Sequence, residues 1–299
     1  MMPAQLAIAR FKRDLTMGRV LNIALLAGIA FSFFFGGFIN NQAGDVVLVL
    51  IIGTIWIALG YQSIRGSRLS AGSPSLIAAG QFEQAEEQIE GALRSFSLFR
   101  ASKMMSLHHL ALLRHAQRRW SDAADLCRAL LHQRLGTLKA LARQSRLILA
   151  DSLLEVGDLR GAYDVISSLY QQRLTLAEAI SLQAVQLDYL WRINAWDAML
   201  AGVSTKVQLS ELAGTPNAAR MQALLALAAR RKGQKDWENY LVRRVELLVD
   251  VNPLVTERPV LRELFNRPVT SNDVLLHAKT ADNTVTGADA PARSDSTNP

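Results

Sequence analysis

Two long apolar stretches separated by six residues constrain this chain more than any other feature. Val20–Ile39 reads VLNIALLAGIAFSFFFGGFI, with no charge and only Asn22 and Ser32 clearly polar. Val46–Ile64 reads VVLVLIIGTIWIALGYQSI, also without charge. At 1.5 Å per residue, about 20 apolar residues in a helix match a hydrocarbon core of about 30 Å. The first stretch lacks a small-x-small cleavage site, so it does not read as a signal peptide. The pair therefore predicts a two-helix transmembrane hairpin over 20–64 and an integral membrane protein. Arg10, Lys12, Arg13 and Arg19 precede it, Arg65 and Arg68 follow it, and the turn carries Asp45 alone. The excess of Lys and Arg at both outer ends predicts cytoplasmic N- and C-termini, at a bacterial inner membrane. Neither stretch holds an ionisable residue, which argues for an anchor and against an ion path.

Small residues mark helix packing within these stretches. Ala24, Gly28, Ser32 and Gly36 recur every fourth residue and share a helix face, and Gly53 and Gly60 lie on the other stretch. Such faces let two backbones approach closely. Packing inside the hairpin is one use of them, and a homo-oligomeric contact is another.

Beyond residue 65 the composition turns rich in Ala, Leu, Arg, Gln and Glu, all good helix formers, which predicts an all-α remainder. A period of 37–39 residues runs through it. AAGQFEQAEEQIEGAL (78–93), AQRRWSDAADLCRALL (116–131), EVGDLRGAYDVISSLY (155–170) and RINAWDAMLAGVSTKV (192–207) align. After a short turn each places Phe82, Trp120, Leu159 or Trp196, then Ala85, Ala123, Ala162 or Met199, then Ile89, Cys127, Ile166 or Val203. Offsets of three and four put the three positions on one helix face. An amphipathic helix precedes each turn, and a weaker fifth unit has Gly233 at its turn. Gly80 and Gly157 stand where the chain must reverse. The final stretch, 268–299, is rich in Thr, Ser, Asn, Asp and Ala, and predicts a disordered tail.

Gly80–Phe82–Ala85, Gly157–Leu159–Ala162 and, in part, Trp120–Ala123 resemble the signature of the tetratricopeptide repeat family over roughly residues 70–250. The period exceeds that family's usual 34 residues. The resemblance implies an α-solenoid of about five helix pairs over 66–267, behind a basic segment over 1–19 and the hairpin. This layout is similar to that of HemY-type bacterial membrane proteins.

Catalytic motifs are missing: there is no phosphate-cradling glycine loop, nucleophile elbow or paired metal-ligand spacing, so no catalytic residue, cofactor or metal is assigned and the chain does not read as an enzyme. His108 and His115 share a helix face but lie two turns apart, too far to chelate one ion, while His109 points elsewhere. The lone cysteine, Cys127, sits at a core position of the repeat and cannot form an internal disulfide. Glu83, Glu86, Glu87 and Glu90 read as a solvated acidic face, and Arg230, Arg231, Lys232, Lys235, Arg243 and Arg244 as the densest basic patch.

Stacked helix pairs present a concave surface lined by the first helix of each pair. In this register His108, Leu112, His115, Gln144, Asp151, Glu155, Asp188, Trp191, Arg192 and Arg230 line it. A polar surface with one aromatic suits a protein or peptide partner. Its mixture of carboxylates with arginines disfavours a nucleic-acid track, even though Lys and Arg exceed Asp and Glu by 7. The expectation is a membrane-anchored scaffold with the lipid bilayer as a second partner. The alternative is a structural membrane protein that self-associates through its hairpin.

Overall fold

The computed structural model describes residues 2–35, 42–95, 97, 99–133 and 135–265, and within these the side chains of all but 31–35, 42–49, 66 and 67. Among the described residues there is no β-strand, and the chain is all-α. It divides into two compact units, 1–195 and 196–299.

The first unit opens with two long helices, α1 (Ala4–Phe35) and α2 (Gln42–Ala71). Among the described residues no helix is long and apolar enough to cross a membrane, and this corrects the expected transmembrane hairpin and integral membrane localisation. The turn at 40–41, Gly36 and the tail 268–299 lie outside the described residues.

Both helices are also built into the helical core at one end. Ala4, Ala7, Ile8 and Phe11 of α1 are buried, so the segment expected as a separate basic arm packs as an amphipathic helix. Arg10, Lys12 and Arg13 occupy its other faces. Asp14 reaches the buried Lys103 at 2.8 Å. Burial pushes the Lys103 ammonium down from its ordinary pKa, with Asp14 opposing that shift.

Next come α3 (Ser73–Ala78), α4 (Phe82–Arg94), α5 (Arg100–Ala116), α6 (Trp120–Leu131), α7 (Lys139–Val156), α8 (Leu159–Tyr170) and α9 (Leu176–Arg192). They alternate as expected, a first helix, a tight turn, then a second helix beginning on Phe82, Trp120 or Leu159. Ala85, Ile89, Ala123, Cys127, Ala162 and Ile166 are all buried, so the offsets of three and four did mark the inward face. In the first pair the end of α2 and the short α3 together supply the leading helix.

The turns share one backbone device. Gly80 (φ 74°), Arg118 (φ 61°), Gly157 (φ 88°), Asn194 (φ 56°) and Gly233 (φ 70°) all adopt the left-handed conformation at the same step of five successive turns. The recurrence explains the glycines: where Arg118 and Asn194 stand instead, the backbone still takes the same path.

The second unit holds α10 (Trp196–Leu200), α11 (Val203–Glu211), α12 (Thr215–Arg231), α13 (Lys235–Leu248), α14 (Val251–Glu257), a 3-10 turn (Pro259–Leu261) and α15 (Arg262–Phe265). The degenerate fourth repeat segment is physically a broken helix, because Gly202 at φ 64° separates α10 from α11. Ala218 to Ala229 of α12 are buried almost without interruption, and α10, α11 and α13 pack on it. Gln222 is buried there and donates to Ser210 Oγ at 3.1 Å.

Candidate functional site

The face of α5, α7 and α9 expected to bind a partner is used first to join neighbouring pairs. His108 hydrogen-bonds Ser145 Oγ at 2.9 Å, and His115 Nε2 meets Asp151 at 2.8 Å. Arg143 donates to both carboxylate oxygens of Glu178 at 2.8 and 2.9 Å, and Arg192 donates to Glu155 at 2.9 Å. Toward α2 and α3, His109 Nδ1 donates to the Ser70 carbonyl at 3.0 Å with Ser73 Oγ at 3.1 Å, and Ser70 pairs with Ser106 at 3.2 Å. These partners are 35 to 39 residues apart in sequence, one repeat period, so equivalent turns of successive leading helices are clasped together.

His108 and His109 are therefore buried rather than solvated, while His115 is half-buried. His108 and His115 do share a face, as their spacing requires, and both point at α7; His109 points the other way, at α2. Burial drives the His108 pKa down to about 4, aided by the neighbouring His109. Burial lowers that of His109 too, against the opposing Ser70 carbonyl. Both imidazoles are neutral near pH 7 and serve as hydrogen-bonding wedges between helices.

Asp188 is also buried, unlike a groove residue. Its carboxylate and those of Asp151 and Glu155 come within 4.8 Å of one another, a grouping that could hold a cation. Sequence spacing did not show it, since three carboxylates from two helices converge only when α7 and α9 pack. Arg192 already serves two of them, at 2.9 Å to Glu155 and 3.9 Å to Asp188, and His115 serves Asp151. The Arg192 guanidinium also lies 5.4 Å from the Trp191 ring centroid. What remains on the surface is a strip of half-buried Leu112, His115, Asp151, Glu155, Trp191 and Arg192 beside the exposed Gln144.

Arg230, expected on the same surface, belongs to the second unit, where it is exposed and donates to the Glu263 carbonyl. The surrounding basic patch is largely paired. Arg231 meets Glu263 at 2.9 Å, Lys232 meets Asp197 at 2.7 Å and Arg244 meets Glu211 at 2.6 Å.

The acidic run on α4 is no uniformly solvated face either. Glu86 is buried and its carboxylate takes both arms of the fully buried Arg114, at 2.7 and 3.3 Å. Arg114 also donates to the Met2 carbonyl at 2.9 Å and to Gln117 at 2.7 Å. Burial acts to raise the Glu86 pKa, but Arg114 outweighs it and the carboxyl titrates below its ordinary value. Glu90 accepts from the Met2 amide at 2.5 Å and pairs with Arg94 at 2.8 Å. Cys127 is buried, and burial pushes its thiol up to about 12.

Of the expected packing glycines, Gly28 faces α2: a Cβ there would stand 3.4 Å from Ile52 Cδ1. That is contact within the helix pair. Ala24 is exposed, nothing lies within 4 Å of a Cβ at Gly53 or Gly60, and the side chain of Ser32 and all of Gly36 lie outside the description. Comparisons with protein families, with curated proteins and with solved structures each find no match for this chain.

Proposed function

We propose that the chain is a protein-interaction scaffold, a TPR-like array of helix pairs whose leading helices hold a segment of a partner protein. The observation that carries the reading is the strip along α5, α7 and α9. After the clasps between pairs are made, Asp151, Glu155, Trp191 and Arg192 keep part of their surface to solvent. The chemistry of that strip suits an extended segment that sets a basic side chain against the carboxylates and an apolar one against the Trp191 ring. Large aromatic and arginine side chains in such positions supply most of the binding energy at protein interfaces.

The test is site-specific photo-crosslinking in cells with the full chain. A photoreactive residue at Gln144, on the strip, should trap a discrete partner. One at Asp164, exposed on α8, should not trap it, and Trp191→Ala should abolish the adduct at Gln144. Equal adducts at both positions, or none at Gln144, would refute the reading.

A further inference from the structure

A cavity of about 250 Å³ lies between α1 and the start of α5. One face of α1 forms its long wall, where Leu15, Arg19, Asn22, Ile23 and Leu26 follow one another at helical spacing. Across from them stand Ser97 and Arg100, which opens α5. Among the described residues neither Arg19 nor Arg100 makes an ion pair or a side-chain hydrogen bond, and Arg100 Nε is buried without an acceptor. Other half-buried or buried arginines of this unit behave differently: Arg114, Arg143 and Arg192 meet carboxylates at 2.7, 2.8 and 2.9 Å. Asp14 also lines the cavity, but its carboxylate is committed elsewhere, to Lys103 at 2.8 Å and to Arg13 at 3.6 Å. Ser97 is buried and accepts from the Phe99 amide at 3.2 Å, so it is a fixed part of the wall. A buried charged donor without an acceptor is costly, and an anion placed between the two guanidiniums removes that cost.

We propose that this cavity binds an anionic amphiphile, a phosphate ester carrying an apolar chain, with the phosphate between Arg19 and Arg100 and the chain along Ile23 and Leu26. Donor chemistry selects the head. Two planar guanidinium forks and the Asn22 amide match the three unesterified oxygens of a phosphate better than the two oxygens of a carboxylate. The volume selects its size. It falls below the roughly 300–1,000 Å³ of pockets for drug-sized ligands, so it suits a headgroup rather than a nucleotide. The wall selects the tail. Beyond Asn22 the same face of α1 turns apolar, Leu26 stands about 10 Å along the helix from Arg19, and Ile23 and Leu26 are 61% and 67% exposed. One helix face thus offers a cationic end and an apolar end at the spacing of a phosphate and the first carbons of its chain.

Titration calorimetry of the full chain with hexyl phosphate, kept below its micelle concentration, tests it. One saturable site is expected, with inorganic phosphate and hexanol each bound roughly tenfold or more weakly. Arg100→Gln and Arg19→Gln should each weaken hexyl phosphate by roughly tenfold or more at unchanged helix content. Arg19 is exposed, so its variant reads the site without disturbing the fold. Arg100→Lys should recover part of the affinity as a point charge, and Arg65→Gln, on an exposed arginine outside the cavity, should change nothing. Flotation with phosphatidylglycerol vesicles separates two sources of the same chemistry: flotation that needs Arg100 assigns a lipid headgroup, and hexyl phosphate binding without flotation assigns a soluble ester. Any of four outcomes would overturn the proposal: no saturable binding of hexyl phosphate at millimolar concentration, equal binding by the native chain and Arg19→Gln, inorganic phosphate bound as tightly as hexyl phosphate, or Arg65→Gln weakening binding as much as Arg100→Gln.

Discussion

The left-handed residue shared by the five turns gives a pair of substitutions with opposite expected signs. Gly157 sits at φ 88° with nothing within 4 Å of a Cβ, so Gly157→Ala meets no clash and its cost is torsional. The left-handed region costs a residue bearing a Cβ about 1–2 kcal/mol. Removing glycine's freedom from the unfolded chain returns about 0.4–1 kcal/mol. The net expectation is a loss of about 1 kcal/mol. Arg118 already bears that torsional cost at φ 61°, so Arg118→Gly should gain about as much as Gly157→Ala loses. For a unit of this size each kcal/mol moves the melting midpoint by about 2–4 °C. The assay is urea unfolding read by the appearance of a reactive Cys127 thiol, which reports on the first unit alone. Shifts of the same sign, or none in either variant, would refute the idea that one strained conformation is repeated at every turn.

Arg114→Met should destabilise the first unit by about 3–5 kcal/mol, since it leaves Glu86 buried without its cation; adding Glu86→Leu should recover most of that in denaturant titrations. His108 is protonated in the unfolded chain below about pH 6.5 but in the folded chain only below about 4. The stability its neutral form contributes is thus full above 6.5 and is lost as pH falls through that window, by up to about 3 kcal/mol. His108→Gln should flatten, without abolishing, the fall in urea midpoint between pH 7 and 4.5, because His109 shifts in the same direction. The Cys127 thiol, buried and raised to about 12, should resist a maleimide in the native chain at pH 7.5 and react fully in urea; rapid native labelling would contradict its placement.

The repeat was legible because it rests on local rules. A residue tolerant of positive φ, an aromatic or Leu at the start of the second helix, and a small residue three positions on recur at a fixed distance, and the helices begin where those signals stand. Polar positions were not legible in the same way. His108 and Glu86 look like surface residues until the neighbouring pair supplies Ser145 and Arg114, and no spacing within one helix announces a partner on the next. The opening segment carries two patterns at once: Ala4, Ala7, Ile8, Phe11 and Leu15 form an amphipathic stripe, and Arg10, Lys12 and Arg13 between them give the charge bias of a membrane flank. The apolar stretches, read by length alone, gave a membrane span that no described helix provides.

The burial of α1 has a consequence for the order of events on the ribosome. Met2 is held by Glu90 and Arg114, Gln5 reaches Asp125 at 3.2 Å, and Asp14 reaches Lys103. Each of those partners is translated about 90 to 120 residues after the segment it receives. At about 5–20 residues per second, the apolar stripe of α1 emerges roughly 5–20 seconds before the helices that cover it. During that interval Ala7, Ile8 and Phe11 are open to any chaperone near the tunnel exit, until α4, α5 and α6 follow and cover them.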